Sequence, residues 1–428
     1  MSRVIIIGAG AAGLMVAYKL SKAGHKVIVL EAQDRLGGRI HTLHDPDFSV
    51  PVELGAEFVH GDLPVTNELM KEAGIKRAEN GGSFWNADDG KLKQGYGVMQ
   101  DWAVLEKALN EAKEDMTIAA FLDTYLSGHE ELRMFVKGFV EGYDAADTNR
   151  ASVLAFRDEW LSEEGEENRV EGGYSRLIDY MAAECKKNDG DIYTSAIVKE
   201  IKWNNGNVQV LTDKGVSYNA EKVVVTVPAG VLQESNGDGV IKFTPAIENK
   251  LDSFQTIGYG NAMKVFLQFR KIFWQDEEYV TKFGKGIKEL GFIVSDAAIP
   301  VWWTQAPVNT AMLTGWIGGP NTDKFMVMHD DEVLNMAIDS IAHIFGTNKE
   351  AIQKEFKKGK VANWINNPFE KGGYTYATVE GLKLKGKLDE PIEDTIYFAG
   401  EAFFTGAEMG TVEAALASGK KTAELIIG

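Results

Sequence analysis

The first 31 residues alternate strand and helix patterns around closely spaced glycines, and this feature constrains the fold most. Residues 3–7 are apolar and mostly β-branched, as in a strand that is buried on both faces. The run Gly-Ala-Gly-Ala-Ala-Gly follows at 8–13, and apolar side chains recur at helical spacing over 14–23. A second apolar run, Lys26–Leu30, ends at Glu31. The segment therefore predicts a complete strand–helix–strand unit of a parallel sheet.

The spacing of three glycines and one acidic residue is typical of a dinucleotide site. Gly8 permits a tight turn, Gly10 lets the backbone approach a pyrophosphate, and Gly13 lets the helix pack closely on the strand. The N–H groups and the dipole at the start of the helix favour phosphate there. Glu31 can accept hydrogen bonds from ribose hydroxyls, and its charge would repel a phosphorylated ribose. The pattern predicts NAD or FAD, and glycines in an ordinary turn are the alternative.

The segment after Glu31 distinguishes between the two cofactors. Gly37-Gly38 permits another close backbone approach, and Arg39 can neutralise phosphate with a permanently charged guanidinium. Residues 31–39, Glu-Ala-Gln-Asp-Arg-Leu-Gly-Gly-Arg, resemble a segment of the flavin-dependent amine oxidases, a family of monoamine, polyamine and L-amino-acid oxidases. In that family the segment contacts FAD, so the resemblance implies FAD as the cofactor.

The resemblance covers almost the whole chain, and its motifs follow in the family's order. They are found at 53–61, 172–178, 195–201 and 397–417. The FAD contacts that the resemblance implies are Gly55 and Ala56 beside the isoalloxazine, Val198 at the adenine, Gly400 and Glu401 near the ribitol and phosphates, and Thr411 and Val412 at a helix start beneath the flavin pyrimidine.

Lys264 lies in Gly-Asn-Ala-Met-Lys-Val-Phe-Leu-Gln-Phe, a strand-like run with apolar neighbours. From this pattern alone it could be a surface lysine on an edge strand. Its position resembles that of the family's lysine, which holds a water at flavin N5. An ammonium there would stabilise the charge that develops as dioxygen takes electrons, so the resemblance implies a catalytic role for Lys264.

Residues 364–374, Trp-Ile-Asn-Asn-Pro-Phe-Glu-Lys-Gly-Gly-Tyr, could form a packing cluster, because Trp and Tyr bury large areas in any core. They also resemble the family segment that approaches the flavin, which implies Trp364 near the ring and a catalytic Tyr374 on the substrate side. Gly373 takes the place of the cysteine that binds the flavin covalently in monoamine oxidases. Because Cys185 is the only cysteine and is distant in sequence, we expect non-covalent FAD.

Many members of the family hold the substrate amine between two aromatic faces. Tyr374 matches one face, whereas the other falls at Ala407. The cage is therefore incomplete unless Phe403 or Phe404 substitutes.

Residues 55–61, Gly-Ala-Glu-Phe-Val-His-Gly, resemble Gly-Ala-x-Trp-x-His-Gly of the spermine and polyamine oxidase branch, with Phe58 in place of the tryptophan. In that branch the histidine faces the substrate, which implies a catalytic role for His60; a structural or surface histidine is the alternative. An L-amino-acid oxidase would place an arginine here for the substrate carboxylate, and none occurs between Arg39 and Arg77. This favours amines without a nearby carboxylate, with di- and polyamines ahead of aromatic monoamines.

Strand-rich α/β patterns occur at the start, the middle and the end of the chain, and helices and further strands lie between them. We expect an α/β fold, with a discontinuous Rossmann-like FAD-binding domain of the GR2 type and an inserted α+β substrate domain. The expected FAD-binding domain comprises 1–75, 170–245 and 365–428, and the substrate domain comprises 76–169 and 246–364.

The charge and the cysteine content limit the partners. Lys and Arg number 45 against 63 Asp and Glu, and the net charge of −18 disfavours nucleic acids and anionic membranes and favours a cationic ligand. A single cysteine excludes an intramolecular disulfide and a Cys-rich zinc site, and we expect no metal. The apolar N-terminal stretch is too short to span a bilayer, so we expect a soluble, unprocessed, cytoplasmic protein. The acidic run 163–167 predicts a solvated loop.

The resemblance implies an FAD-dependent oxidase that moves a hydride from the Cα–H of an amine to flavin N5. Water would hydrolyse the resulting imine, and O2 would reoxidise the flavin and yield hydrogen peroxide. The alternatives are another FAD oxidase or desaturase of amino-acid or porphyrinogen type, a non-catalytic flavin-binding protein, and a module that binds cations without turnover. The particular amine, the C–N bond cleaved and the oligomeric state stay open.

Overall fold

A computed structural model of the chain describes residues 2–61, 63–95, 102–161, 167–404, 406 and 408–428. Its two largest sheets, one of five strands and one of seven, account for most of the buried core. The acidic run 163–167 lies outside the described residues except for Glu167, which begins a strand.

A five-stranded parallel sheet brings together the start, the middle and the end of the chain. Its strands, in spatial order, are Asp191–Tyr193, Lys26–Leu30, Arg3–Ile7, Lys222–Val225 and Ile396–Phe398. The helices that pack together with it are Ala11–Lys22, Val412–Ile427 and Ser175–Lys187. These elements confirm the strand–helix–strand unit predicted from the first residues and the strand-rich patterns seen in the middle and at the end of the chain.

The carboxyl ends of the parallel strands carry the predicted cofactor motifs. Gly8 follows Ile7, Glu31 follows Leu30, and Gly400 comes shortly after Phe398. Ligands of open parallel sheets bind at this edge, so the topology gathers motifs that lie hundreds of residues apart in sequence.

The seven-stranded sheet lies outside the segments that build the parallel sheet. Its strands, in spatial order, are Phe356–Asn363, Ala262–Phe269, Met312–Gly318, Val301–Trp303, Leu290–Ser295, Ser83–Asp88 and Lys91–Gln94. The strand Ala262–Phe269 pairs on both sides and is buried along its whole length. The interpretation of Lys264 as a surface residue on an edge strand is therefore wrong.

Smaller sheets and helices complete the fold. The remaining strands are Ser217–Ala220, Asn207–Thr212, Val198–Asn204 and Lys242–Thr244; Phe58–His60, Glu167–Val170 and Arg77–Glu79; Gly258–Gly260 and Tyr374–Tyr376; and Thr42–Leu43 and Val52–Glu53. The remaining α-helices are Pro64–Ala73, Trp102–Glu111, Ile118–Tyr125, Glu130–Gly142, Val153–Trp160, Ala229–Leu232, Glu248–Phe254, Glu277–Phe283, Asp330–Ile344, Lys349–Glu355 and Val379–Lys383. The 3-10 helices are Phe273–Gln275, Lys285–Glu289, Gly319–Phe325 and Glu401–Phe403.

The two largest sheets lie on different sides of the expected division of the chain, whereas the strand Glu167–Val170 spans one expected boundary and Gly258–Gly260 pairs with Tyr374–Tyr376 across the division. The strands of the parallel sheet fall within 1–75, 170–245 and 365–428, and those of the seven-stranded sheet fall within 76–169 and 246–364. The domain boundaries themselves stay a prediction. In the part of the chain that the structure describes, no helix has the length and apolar character needed to cross a membrane.

Candidate active site

One cavity of about 2560 Å³ extends from the parallel sheet to the seven-stranded sheet. Small-molecule sites are typically ~300–1,000 Å³, so this cavity has room for a large cofactor and a substrate together. The predicted site residues that line it are Gly8, Gly10, Glu31, Arg39, Gly55, Ala56, His60, Val198, Lys264, Trp364, Tyr374, Gly400, Glu401, Thr411 and Val412. Gly13 lies behind this lining, within the helix that follows the glycine run.

The three glycines of the first turn are required for different reasons. Gly8 has φ +104°, and a Cβ there would lie 2.8 Å from Thr226 Oγ1. A Cβ on Gly13 would lie 2.1 Å from the carbonyl oxygen of Gly8. On Gly10 the nearest heavy atom to a Cβ would be Gly37 O, at 3.9 Å. Packing therefore explains Gly8 and Gly13, whereas Gly10 leaves an open backbone surface on the cavity side.

Glu31 is attached to the glycine turn by its own carboxylate. Its Oε2 accepts a hydrogen bond from the N–H of Ala9 at 2.7 Å, and its Oε1 accepts one from the N–H of Gln33 at 2.8 Å. Burial raises the pKa of Glu31, and these backbone donors oppose the rise. Because each carboxylate oxygen has two lone pairs, Glu31 keeps acceptor capacity for hydroxyl groups in the cavity.

Arg39 connects three segments of the cavity wall. Its Nη1 donates to Glu401 Oε1 at 2.7 Å and to the carbonyl oxygen of Gly373 at 2.8 Å, and its Nε lies 3.8 Å from Glu370 Oε2. Burial works to lower the pKa of Arg39, but Tyr259 and the two carboxylates outweigh it and raise that pKa. The guanidinium is therefore charged at every accessible pH.

Glu370 is a buried carboxyl that the sequence analysis did not single out. Its Oε1 accepts a hydrogen bond from Gln33 Nε2 at 2.9 Å. Burial raises the pKa of Glu370 to about 7; Arg39 opposes this rise and Glu31 adds to it. Its place inside the 364–374 motif was the only sequence signal.

Lys264 lies inside the protein with its ammonium surrounded by acceptors. The residue is 4% exposed, and Nζ donates to the carbonyl oxygens of Gly55 at 2.8 Å and Glu53 at 3.2 Å. Nζ also donates to Glu57 Oε2 at 2.8 Å. Glu57 was not predicted as a site residue, although it belongs to the 53–61 motif.

Two aromatic residues predicted near the cofactor are fixed by hydrogen bonds to backbone carbonyls. Trp364 Nε1 donates to the carbonyl oxygen of Leu54 at 2.9 Å. The Tyr374 hydroxyl donates to the carbonyl oxygen of Tyr143. The Tyr374 ring lies nearly parallel to that of Trp316, with centroids 6.2 Å apart and an interplanar angle of 10°. Trp316 is an aromatic neighbour of Tyr374 that the sequence analysis did not identify.

The two candidates for the second aromatic wall differ in their surroundings. Phe403 is 4% exposed and packs against Phe254 and Phe398, with ring centroids 5.3 Å and 6.0 Å away. Phe404 is half-buried, and both phenylalanines line the cavity. Ala407 lies outside the described residues. Of the two phenylalanines, Phe404 is thus the less buried.

His60 lies at the cavity wall with a partly exposed side chain. Its Nδ1 is 3.5 Å from Glu167 Oε1, and a hydrogen bond from His60 is the main reason that the pKa of Glu167 is lowered. The imidazole ring also lies near Phe58 and Tyr143, at centroid distances of 5.9 Å and 6.3 Å.

Three further predicted positions have a clear local reason. A Cβ on Gly55 would lie 1.9 Å from the carbonyl oxygen of Arg39, so only glycine fits there. The N–H of Gly400 donates to Ser418 Oγ at 3.1 Å, which fixes this backbone at the cavity. Thr411 caps the last helix by accepting a hydrogen bond from Ala414 N at 3.2 Å.

Comparison with known proteins decides what this arrangement is. The model of the family described as flavin containing amine oxidoreductase matches residues 11–427. The chain belongs to this family. Its membership confirms the resemblance seen in the sequence and makes the protein an amine oxidase with FAD as its cofactor.

Relatives and solved structures of this family cover most of the chain. Probable polyamine oxidase 4 of Arabidopsis thaliana is 27% identical over 93% of this chain and 82% of its own length. Lysine-specific histone demethylase 2 of Homo sapiens is 27% identical over 93% of this chain and 50% of its own length. Putrescine oxidase bound to putrescine matches with a TM-score of 0.80 and 20% identity, over 100% of this chain and 99% of its own. Cyclohexylamine oxidase from Brevibacterium oxydans IH-35A matches with a TM-score of 0.79 and 19% identity, over 100% and 98%. These matches confirm the predicted fold.

The residues of this amine oxidase fit FAD on structural grounds. The open backbone at Gly10, at the start of a helix, is suited to a pyrophosphate, and Arg39 supplies a half-buried positive charge in the same cavity. Glu31 offers acceptors for ribose hydroxyls at the end of the second strand. Among the residues that the structure describes, no group of three or more His, Cys, Asp or Glu side chains is arranged to hold a metal ion.

Proposed function

We propose that this amine oxidase acts on positively charged amines without an α-carboxylate, with di- and polyamines preferred. Bound FAD supplies the redox chemistry, in which a hydride leaves the amine Cα for flavin N5 and O2 takes two electrons and two protons to become hydrogen peroxide. The chain's residues bind the cofactor, orient the amine and exclude water. The imine is then hydrolysed by water.

The cofactor side of the cavity supports non-covalent binding. Gly373 has no side chain with which to bond a flavin, and its carbonyl oxygen accepts a hydrogen bond from Arg39. Cys185 is fully buried in the core beneath the helices of the parallel sheet. Gly10, Glu31, Arg39 and Glu401 would hold the dinucleotide by backbone approach, hydrogen bonds and charge.

The observation that carries the substrate class is an acidic pair in the cavity wall. Asp144 and Glu159 line the cavity, and their carboxyl groups share a hydrogen bond. Burial raises the pKa of Asp144 well above its usual range, and the charge of Glu159 raises it further. An ammonium group bound there would favour the ionised form of both carboxyl groups, because a nearby opposite charge lowers the pKa of a carboxyl group.

This acidic pair lies on the side of the cavity that Tyr374 faces. Tyr374 donates to the carbonyl oxygen of Tyr143, which directly precedes Asp144, and both carboxylates of the pair raise the pKa of Tyr374 after burial itself. A diamine could thus place one amine beside Tyr374 and the other at the pair. The net charge of −18 adds long-range attraction for such cations.

The arginines among the described residues of the cavity wall are both engaged. Arg39 binds Glu401 and the carbonyl oxygen of Gly373, and Arg157 Nη2 donates to Asp158 at 3.0 Å. A substrate carboxylate at either guanidinium would have to compete with a carboxylate that is already bound there. This arrangement disfavours amino acids.

A peroxide-coupled assay of the purified holoenzyme over monoamines, diamines, polyamines and L-amino acids tests the proposal. The highest kcat/KM is expected for a diamine or polyamine. A higher kcat/KM for an L-amino acid than for every amine would reject the proposed substrate class. Flavin that is not bleached by any amine without oxygen would reject turnover itself.

A further inference from the structure

We propose that Glu57 is a positioning residue that fixes the ammonium of Lys264 at the flavin side of the cavity and keeps it protonated. The inference rests on the proposed function only in that Lys264 acts on the cofactor. Glu57 is a buried carboxylate that belongs neither to the proposed cofactor contacts nor to the acidic pair of Asp144 and Glu159.

The carboxylate of Glu57 is held rigidly from both sides. Its Oε2 accepts the Lys264 ammonium at 2.8 Å. Its Oε1 accepts from Arg169 Nε at 3.1 Å, Trp303 Nε1 at 3.0 Å and Gln305 Nε2 at 3.3 Å. The Glu57 side chain is 2% exposed, so solvent does not compete for these bonds. Four donors therefore fix where the negative charge lies.

The surroundings of Lys264 require the charged form of its amine. Its three acceptors are Glu57 Oε2, Gly55 O and Glu53 O, all within 3.2 Å of Nζ. An ammonium has three N–H donors, which match these acceptors one to one. A neutral amine has two donors, and its lone pair would point at an oxygen. The geometry thus selects the protonated lysine.

The charges that face this pair come from four segments. Arg169 belongs to the strand Glu167–Val170, Glu53 to Val52–Glu53, Lys264 to Ala262–Phe269, and Glu57 precedes Phe58–His60. Burial works to raise the pKa of Glu57, yet Lys264 and Arg169 hold it at about 2. Burial raises the pKa of Glu53 to about 7, with backbone and Thr42 donors and Lys264 opposing the rise. When Glu57 is ionised, the net charge of the group formed by Arg169, Glu57 and Lys264 is +1.

This charge lies next to the residues predicted beside the isoalloxazine. Lys264 donates to the carbonyl oxygen of Gly55, and a Cβ on Gly55 would lie 3.1 Å from Trp364 Cζ2. Replacing a buried ion pair by apolar residues is often neutral or stabilising, so stability alone gives no reason for this arrangement. The functional reason is that a fixed positive charge stabilises the negative charge that develops as O2 takes electrons.

The test is the pH dependence of flavin reoxidation and of the flavin midpoint potential in the holoenzyme. Photoreduction of the bound flavin avoids the amine, so the result does not depend on whether amines are turned over. For the wild type we expect no decrease of the flavin reoxidation rate constant between pH 6 and pH 10 that depends on Lys264. A wild-type loss in this range that Lys264→Met abolishes would overturn the proposal without any Glu57 variant.

Glu57→Gln removes the charge and keeps the shape. Burial disfavours the charged form of a lysine that lacks a carboxylate partner, and it can lower the pKa of buried lysines by up to about 3–5 units. We expect the rate constant of Glu57→Gln to fall with rising pH, together with a new break in the midpoint potential. Both effects should disappear when Lys264→Met is added.

Glu53→Gln is the matched control, because its carboxyl group is buried nearby but does not contact Nζ. Only its backbone carbonyl does so, and the substitution preserves that carbonyl. We expect Glu53→Gln to lack the new break that Glu57→Gln shows, because Lys264 keeps its ion pair with Glu57 in this variant. A Glu57→Gln profile equal to wild type, or equal to Glu53→Gln, would overturn the proposal. Absence of amine turnover alongside the expected profiles would instead reject the proposed function alone.

Discussion

Gly13 lies directly against the backbone of Gly8, so closely that a Cβ on Gly13 would come within 2.1 Å of the Gly8 carbonyl oxygen. This contact seats the first helix on the first strand. Gly10, between them in the same motif, has no such neighbour, since the closest heavy atom to its Cβ position is 3.9 Å away. Within this one motif, Gly8 and Gly13 are therefore required for packing, whereas Gly10 leaves room for the ligand.

The first prediction separates these two roles. Gly10→Ala should weaken FAD binding and leave the melting temperature of the apo-protein close to wild type. Gly13→Ala should destabilise the apo-protein by roughly 1–3 kcal/mol, as overpacking does. FAD titration and thermal unfolding of the apo-proteins measure both effects. If Gly10→Ala destabilises the apo-protein as much as Gly13→Ala, packing and not the ligand explains Gly10.

The backbone topology at the cofactor side was predictable because each motif carries its own local pattern. Residues 3–31 combine β-branched runs with glycines at fixed spacing, and the structure has a strand, a helix and a strand there. Such signals depend on neighbours within one turn or one strand. The roles of Gly55, Glu401 and Trp364 were inferred from resemblance, and the structure brings these residues to one cavity.

The second prediction concerns retention of the cofactor. Acid or heat precipitation should release intact FAD into the supernatant, because Gly373 offers no side chain for a covalent bond. Glu31→Ala should weaken FAD binding by roughly 1.5–3 kcal/mol, the contribution of a hydrogen bond to a charged group. Absorbance of the supernatant and equilibrium titration measure these quantities. Flavin that stays with the precipitated polypeptide would contradict non-covalent binding.

The third prediction follows from the pKa of Glu370. Its pKa is raised from 4.5 to about 7 in the folded protein, so the folded state holds the proton more tightly than the unfolded state. Its effect on stability is absent below about pH 4.5, and the free energy of unfolding should fall as pH rises towards 7. At about 1.4 kcal/mol per pKa unit the loss is on the order of 3 kcal/mol. Glu370→Gln should remove this loss, and urea unfolding of the apo-proteins at pH 5 and 8 measures the difference. Equal pH dependence in both proteins would show that Glu370 titrates normally.

The charged groups that matter most in the interior were not predictable from the sequence. Glu57 and Lys264 are more than 200 residues apart, as are Arg39 and Glu401. In the chain of 428 residues, 63 are acidic, and nothing in the local pattern shows which of them will be buried. Burial and pairing depend on how distant segments meet, so Glu57, Glu370 and the pair of Asp144 with Glu159 emerge only from the structure.

The fourth prediction concerns Lys264 itself. Lys264→Met should slow flavin reoxidation by O2 more than it slows flavin reduction by the amine. The reason is that the buried cation stabilises negative charge, which accumulates mainly when O2 takes electrons. Stopped-flow measurement of the two half-reactions decides the matter. Equal effects on both, or no effect on either, would make Lys264 a structural lysine.

The last prediction locates the determinants of substrate choice. Asp144→Asn should raise KM for diamines and polyamines and change KM for monoamines little, because a monoamine has no second ammonium to place at the acidic pair. Loss of one charge-assisted hydrogen bond is worth roughly 1.5–3 kcal/mol, or about 10- to 150-fold in affinity. His60→Ala should alter polyamine turnover with unchanged FAD content, since His60 contacts Glu167 at the cavity wall and is not among the predicted FAD contacts. Steady-state kinetics with matched mono- and diamines, together with the flavin-to-protein absorbance ratio, test both variants. A parallel rise of KM for monoamines and diamines in Asp144→Asn would show that the acidic pair shapes the cavity without binding the distal amine, and unchanged kinetics in His60→Ala would leave His60 as a structural histidine.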